Sequence, residues 1–217
     1  MNKTIVQACE ALFPNATHRF CVKHLHSNWS SAGFKGTTLR NALWAAAKAS
    51  TPAQFVTKMN DIVEIDLEAG KWLDEKPACE WSRSHFQTST KCDMLVNNIC
   101  ESFNSKFFEA RELTIIHLME GVRHYVMSRM QENRDRARQR WMKNKVCPKI
   151  MKRLNINIDK ATTCIPYKAD DTHFEISCPF GETYIVDIEE RTCSCRKWDL
   201  TGLFESFNRI VYHLRYH

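Results

Sequence analysis

Two cysteines separated by a single residue, Cys193 and Cys195, carry the sharpest chemical signal in the 217-residue sequence. Thiolates at this spacing can both face one tetrahedral ion if the backbone turns between them, and a closed structural zinc site takes four ligands. No cysteine follows Cys195, and the later imidazoles are His213 and His217. Their i, i+4 spacing could present both to one ion from a helix, so Cys193, Cys195, His213 and His217 form one candidate Cys2His2 set. A weaker pair is Cys21 and His24, whose Cys-x-x-His step can place both groups on one side of a turn. Both pairs also have a plain reading. The chain holds ten cysteines, and cysteine outside metal sites commonly packs as a small hydrophobe.

The second chemical signal is charge. Lys and Arg total 31 against 25 Asp and Glu, a modest excess, so its placement matters more than its size. Between Arg123 and Arg153 stand eleven basic residues, and the acids there are Glu132 and Asp135 alone. Arg134, Arg136, Arg138, Arg140, Lys143 and Lys145 are the centre of this run. Such clustering suits phosphate contact, because each neutralised phosphate releases a counterion; a solvated helical face is the competing reading. Trp141, inside the run, could stack on a base or anchor the helix to a core. DNA is therefore the candidate partner, and no feature points to a small-molecule substrate.

The elements that must position these residues can be read from apolar spacing. Helices are expected over Thr4–Leu12, from about Leu25 to Trp29, over Thr37–Ala49, after an N-cap and proline at Thr51-Pro52, and over Leu67–Leu73. Thr17–Val22 reads as a short strand, and Glu80–Phe86 as an irregular connection. Asn97–Phe108 reads as a helix with Ile99, Phe103 and Phe107 on one face. Leu113 to about Arg140 is the longest helix, with Ile115, Leu118, Met119, Val122, Val126 and Met130 at three- and four-residue steps. Pro148 interrupts the segment beyond that helix. After Pro166 the period changes to two: His173–Ser177 and Thr183–Ile188, separated by a Pro-Phe-Gly turn, form a hairpin leading into Cys193. The expectation is an α+β chain, mainly α: a helical body, residues 1–161, and a β-hairpin zinc-finger-like module, residues 162–217. No apolar run is long enough to span a bilayer. Met1 to Ala8 lacks a signal-peptide pattern, which predicts an intracellular protein with reduced thiols.

At the C-terminal module the residues support a more specific comparison. Tyr184-Ile185-Val186-Asp187 and Arg191-Thr192-Cys193-Ser194-Cys195-Arg196-Lys197-Trp198-Asp199-Leu200-Thr201-Gly202 closely resemble the SWIM-type zinc finger of plant Mutator-like transposases. That finger continues with Cys-x-His, whereas Leu203–Asn208 here does not, so the resemblance implies a truncated finger and weak or absent zinc binding. The likeness extends over most of the chain. Phe13-Pro14, His18–Leu25 with its Cys21-x-x-His24, Trp81–Phe86, Lys91-Cys92-Asp93 and Asn97–Asn104 all match, in order.

The resemblance implies an RNase H-like DDE transposase origin for the helical body, as the insertion and C-terminal part of that domain. Such enzymes cut and join DNA with two metal ions, Mg or Mn, clamped by three carboxylates. Glu101 corresponds to the family's catalytic glutamate. The two aspartates of the family lie upstream of the Cys-x-x-His segment, outside this sequence, so the implied function is a non-enzymatic transposase remnant that binds DNA in the nucleus. Three other readings stand beside it: a domesticated nuclear DNA-binding transcriptional regulator, part of an active DDE transposase, and a helical protein–protein interaction module.

Overall fold

The computed structural model describes residues 3–141, 147–179 and 181–202. It is mainly helical with a small antiparallel sheet, as the periodicities predict. The described chain falls into two compact units. Of the described residues, the first gathers 3–96, 168–175 and 183–202, and the second gathers 97–141, 147–167, 176–179 and 181–182.

The first unit opens with α1 (Lys3–Leu12), α2 (Val22–Ser31) and α3 (Thr37–Lys48). Next come α4 (Pro52–Ile65), α5 (Leu67–Asp74) and the short α6 (Ala78–Trp81), followed by a 3-10 turn at Arg83–His85. The Thr51 hydroxyl accepts the Gln54 N–H, and Pro52 occupies the first helical turn, where its missing donor costs nothing. Asp66 makes the corner between α4 and α5: it ends one helix and its carboxylate accepts the Ala69 N–H at 3.0 Å. Around these elements Val22, Trp29, Leu43, Ile62, Leu73, Trp81 and Phe86 are buried in one core, and Leu200 joins it from the far end of the sequence. Trp29 and Trp81 satisfy their indole N–H groups, Trp29 on the Ala69 carbonyl and Trp81 on the Lys76 carbonyl. Truncating either to alanine should cost about 3–5 kcal/mol.

Thr17–Val22 is not a strand. Phe20 N–H donates to the Glu80 carbonyl and Val22 N–H to the Leu95 carbonyl, so the extended segment bonds to two separate stretches rather than to one ladder. Helix α2 starts at Val22, three residues before the apolar register suggests. The Glu80–Phe86 connection holds more regular structure than its sequence implies, because α6 and the 3-10 turn tuck Trp81, Ser82 and Ser84 fully inside.

The second unit contains α7 (Asn98–Lys106), a 3-10 turn at Glu109–Glu112, the long α8 (Ile115–Trp141) and α9 (Pro148–Ala161). Pro148 begins α9 rather than breaking a helix, since proline is well suited to the first turn. Phe103, Phe107 and Tyr125 form an aromatic cluster with ring centroids 4.7–6.1 Å apart. Of the apolar stripe expected along α8, Leu118 and Val122 are half-buried. Ile115, Met119, Val126 and Met130 are exposed instead.

The sheet contains four strands in sequential order: β1 (Ile165–Lys168), β2 (His173–Ser177), β3 (Thr183–Asp187) and β4 (Thr192–Cys193). The two-residue alternation marks β2 and β3, while β1 and β4 are too short to show it. In the register of β3 and β4, Val186 lies opposite Cys193. A short helix, α10 (Lys197–Thr201), comes after β4. No described helix is long and apolar enough to cross a membrane.

Candidate metal and nucleic-acid sites

Within the first unit, strand β4 delivers Cys193 and a tight turn delivers Cys195. Ser194 N–H donates to the Ile185 carbonyl, and the Ser194 hydroxyl accepts the Ile185 N–H, which fixes the register. The Arg196 N–H then reaches back to the Cys193 carbonyl at 2.7 Å, closing the turn, with Arg196 itself in the left-handed region. This turn brings the two Sγ atoms to 2.9 Å and buries both.

The module is tied into the core on its far side. The Arg196 guanidinium donates to the Phe86 carbonyl at 2.9 Å, and Trp198 and Leu200 are buried. Gly202 takes φ +65, where a β-carbon would be strained and would touch the Lys91 side chain.

Two thiols make half of a structural zinc set. Among the described residues, no group of three or more His, Cys, Asp or Glu is positioned to hold a metal. The described residues thus do not fit a closed zinc site. His213 and His217 lie outside the described residues. Cys21 is the half-buried residue preceding α2 and His24 is exposed on its first turn, and they recruit no third ligand among the described residues.

Within the second unit, Arg134, Arg136 and Arg138 are exposed on α8. At about 3.6 residues per turn, Arg134 and Arg138 share one side of the helix, and Arg136 points to roughly the opposite side. The two acids of the run divide between them: Glu132 lies 3.9 Å from Arg136, and Asp135 lies 4.0 Å from Arg138. Arg129 also approaches Glu132, and Asp135 accepts two bonds from the Gln131 amide. All are solvent-exposed contacts of the kind that contribute little to stability. Lys143 and Lys145 lie outside the described residues, as do the side chains of Arg140 and Trp141. Glu101 is on α7, and its side chain is likewise outside the description.

A polar relay in the first unit is not visible in the spacing of its residues. The Ser82 hydroxyl donates to the Ala46 carbonyl at 2.9 Å, Ser84 lies 2.7 Å from Ser82, and His85 Nδ1 lies 2.8 Å from Ser84. Because Ser82 directs its proton to Ala46, Ser84 must donate to Ser82, and His85 Nδ1–H must donate to Ser84. The chain of donors runs one way and sets the tautomer of His85. Burial, then the nearby Arg196 charge, holds His85 below the ordinary histidine range. The relay fastens the 3-10 turn to the end of α3, and the signal that could have revealed it is only the Ser-Arg-Ser-His run.

At the turn between β1 and β2, Asp170 accepts the backbone N–H groups of Thr172 and His173 and pairs with the His173 ring. The Thr172 and His173 backbone donors, with the ring beside them, hold the Asp170 carboxyl well below the usual carboxylate range. The same carboxylate, through its hydrogen bond and its charge, raises His173.

Comparisons with protein-family models, curated proteins and solved structures return no match to this chain.

Proposed function

We propose that this chain is part of a Mutator-like DNA transposase, and that these 217 residues bind duplex DNA in the nucleus through the phosphate backbone without cutting it. The observation that carries the reading is the exposed Arg134–Arg138 side of α8. The two guanidinium groups are one helical turn apart, about 6 Å along the axis, a step comparable to the spacing of successive phosphates on one strand. Arg134 has no ion-pair partner among the described residues, and the contact of Arg138 with Asp135 is long. A phosphate can therefore displace little and gain two charge-assisted bonds.

Catalysis in the implied family needs three carboxylates, and within these 217 residues the resemblance supplies one position, Glu101. A single carboxylate cannot clamp two ions, so binding without strand cleavage is the expected behaviour. Zinc is a minor part of the proposal, because Cys193 and Cys195 make up two ligands of four. The test is anisotropy of a labelled duplex over about 50 to 200 mM salt, with a parallel nicking assay in Mg and Mn. Affinity should fall steeply with salt, and the duplex should stay intact. Binding that is indifferent to salt, or strand cleavage lost on Glu101→Gln, would overturn the proposal.

One observation favours a second reading, a helical protein–protein interaction module. Ile115, Ile116, Met119, Val126, Met127 and Met130 are between 41% and 72% exposed along one helix, more apolar surface than a solvated helix ordinarily shows. Sedimentation equilibrium distinguishes the two readings: self-association without DNA binding would favour the module.

A further inference from the structure

Two other thiols come together in the second unit. Cys164 stands just before β1 and Cys178 just after β2. Their Sγ atoms lie 3.1 Å apart, and both residues are half-buried. This is about 1 Å longer than a disulfide bond, so bond formation needs only a small side-chain adjustment. Cys164 is held in place from the other side: its N–H donates to the Ala161 carbonyl, and its thiol points to the Lys160 carbonyl at 3.7 Å, both in the last turn of α9. Cys178 is fixed by its N–H bond to the Glu182 carbonyl at 2.8 Å.

We propose that Cys164 and Cys178 are a reversible redox site, oxidised by a low-molecular-weight disulfide such as glutathione disulfide. One thiol, as its thiolate, attacks a sulfur of glutathione disulfide. A protein–glutathione bond forms, the glutathione S–S bond breaks, and one glutathione thiol leaves with a proton. The second cysteine then attacks the protein sulfur of that mixed disulfide, forming Cys164–Cys178 and releasing the second glutathione thiol with its proton. Two electrons pass from the cysteine pair to glutathione disulfide, and the reverse exchange restores the thiols. The oxidised pair closes a covalent loop over residues 165–177 and ties the end of β2 to the chain just beyond α9.

Accessibility separates this pair from Cys193 and Cys195. Those thiols are also close but are 6% and 2% exposed, and one residue separates them. An incoming disulfide reaches a half-buried sulfur more readily than a buried one. The site is independent of DNA binding and of the transposase likeness, so its failure would leave both untouched.

The experiment exposes the full chain to glutathione disulfide at neutral pH, quenches with an alkylating agent and maps the peptides by mass spectrometry. A peptide pair linked through Cys164 and Cys178, two alkyl groups fewer per chain, and return of both on adding reduced glutathione are expected. Cys164→Ser and Cys178→Ser should each accumulate a lasting glutathione adduct on the remaining cysteine, about tenfold above the wild-type level, because the resolving thiol is gone. Cys193→Ser with Cys195→Ser should leave the link unchanged. Alkylation of both Cys164 and Cys178 after exposure would overturn the proposal, as would persistent adducts on the wild type. Both of those outcomes are read on wild-type protein, so the test survives if a serine variant does not fold.

Discussion

Replacing Arg134 and Arg138 together by glutamine should lower the salt dependence of DNA binding by a calculable amount. Each phosphate contact contributes about 0.9 to the slope of log affinity against log salt, so two contacts contribute about 1.8. Over a fourfold rise in salt, from about 50 to 200 mM, the wild type should therefore lose about 12-fold more affinity than the variant. Folding should be unaffected. Among the described residues the one ion pair removed, Arg138 with Asp135, is long and its side chains are 71% and 48% exposed, and such pairs contribute about 0–1 kcal/mol. Arg136→Gln is the internal control. It lies on the opposite side of α8 and within 3.9 Å of Glu132, so its slope should stay near that of the wild type. The assay is anisotropy of a labelled duplex at several salt concentrations, with thermal melting of each variant alongside. An unchanged slope in the double variant, or an equal drop for Arg136→Gln, would refute the assignment of this side of the helix.

Three further outcomes are expected. After equilibration with zinc and removal of excess, elemental analysis should find well under one ion per chain; one tightly held zinc, lost on Cys193→Ser, would contradict the half-set argument. Gly70→Ala should destabilise the first unit by about 1–3 kcal/mol in chemical denaturation, although alanine favours helix by about 1 kcal/mol. The new β-carbon would run into Val63 Cγ2 where α5 lies against α4, and an equal or higher midpoint would show that the helices separate freely. The lowered carboxyl of Asp170 contributes stability that is present above its ordinary value of 3.8 and is lost as pH falls below it. The raised His173 contributes below 6.5, and its contribution is lost as pH rises through its folded value. NMR titration should place His173 above 6.5, and Asp170→Asn should bring it down; no movement would separate the two groups.

Most helices of the first unit were legible from local signals, while α6 was not. Thr51-Pro52 marks a start, and Leu39 and Leu43 mark a buried face that the core confirms. Legibility failed where a partner distant in sequence decides the outcome. Thr17–Val22 has strand-like residues, but its donors are satisfied by Glu80 and Leu95 separately. Periodicity reported that α8 has an apolar stripe, correctly, but not whether anything covers it. At the candidate sites, the Cys193–Cys195 convergence came from spacing alone because the turn is local. Cys164 and Cys178 were invisible for the opposite reason: their meeting depends on strand pairing, and nothing in their spacing differs from that of other scattered cysteines. The Ser82–Ser84–His85 relay was hidden likewise, since its terminal acceptor is the carbonyl of Ala46.

The insertion of Leu200 into a core built from Val22, Trp29, Leu43 and Trp81 has a consequence for synthesis. A ribosome delivers the residues through Val96 well before α10 emerges, and the stretch from Asn97 to Tyr167 must be made in between. Until then the core lacks Leu200, and the Phe86 carbonyl lacks the Arg196 guanidinium. Closing so long a loop adds an entropic barrier that a contiguous helical domain would not face, although the cost grows only slowly with length. The nascent first unit should therefore remain protease-sensitive and available to chaperones until the sequence through Thr201 has cleared the exit tunnel, and it should gain its protection late and in one step.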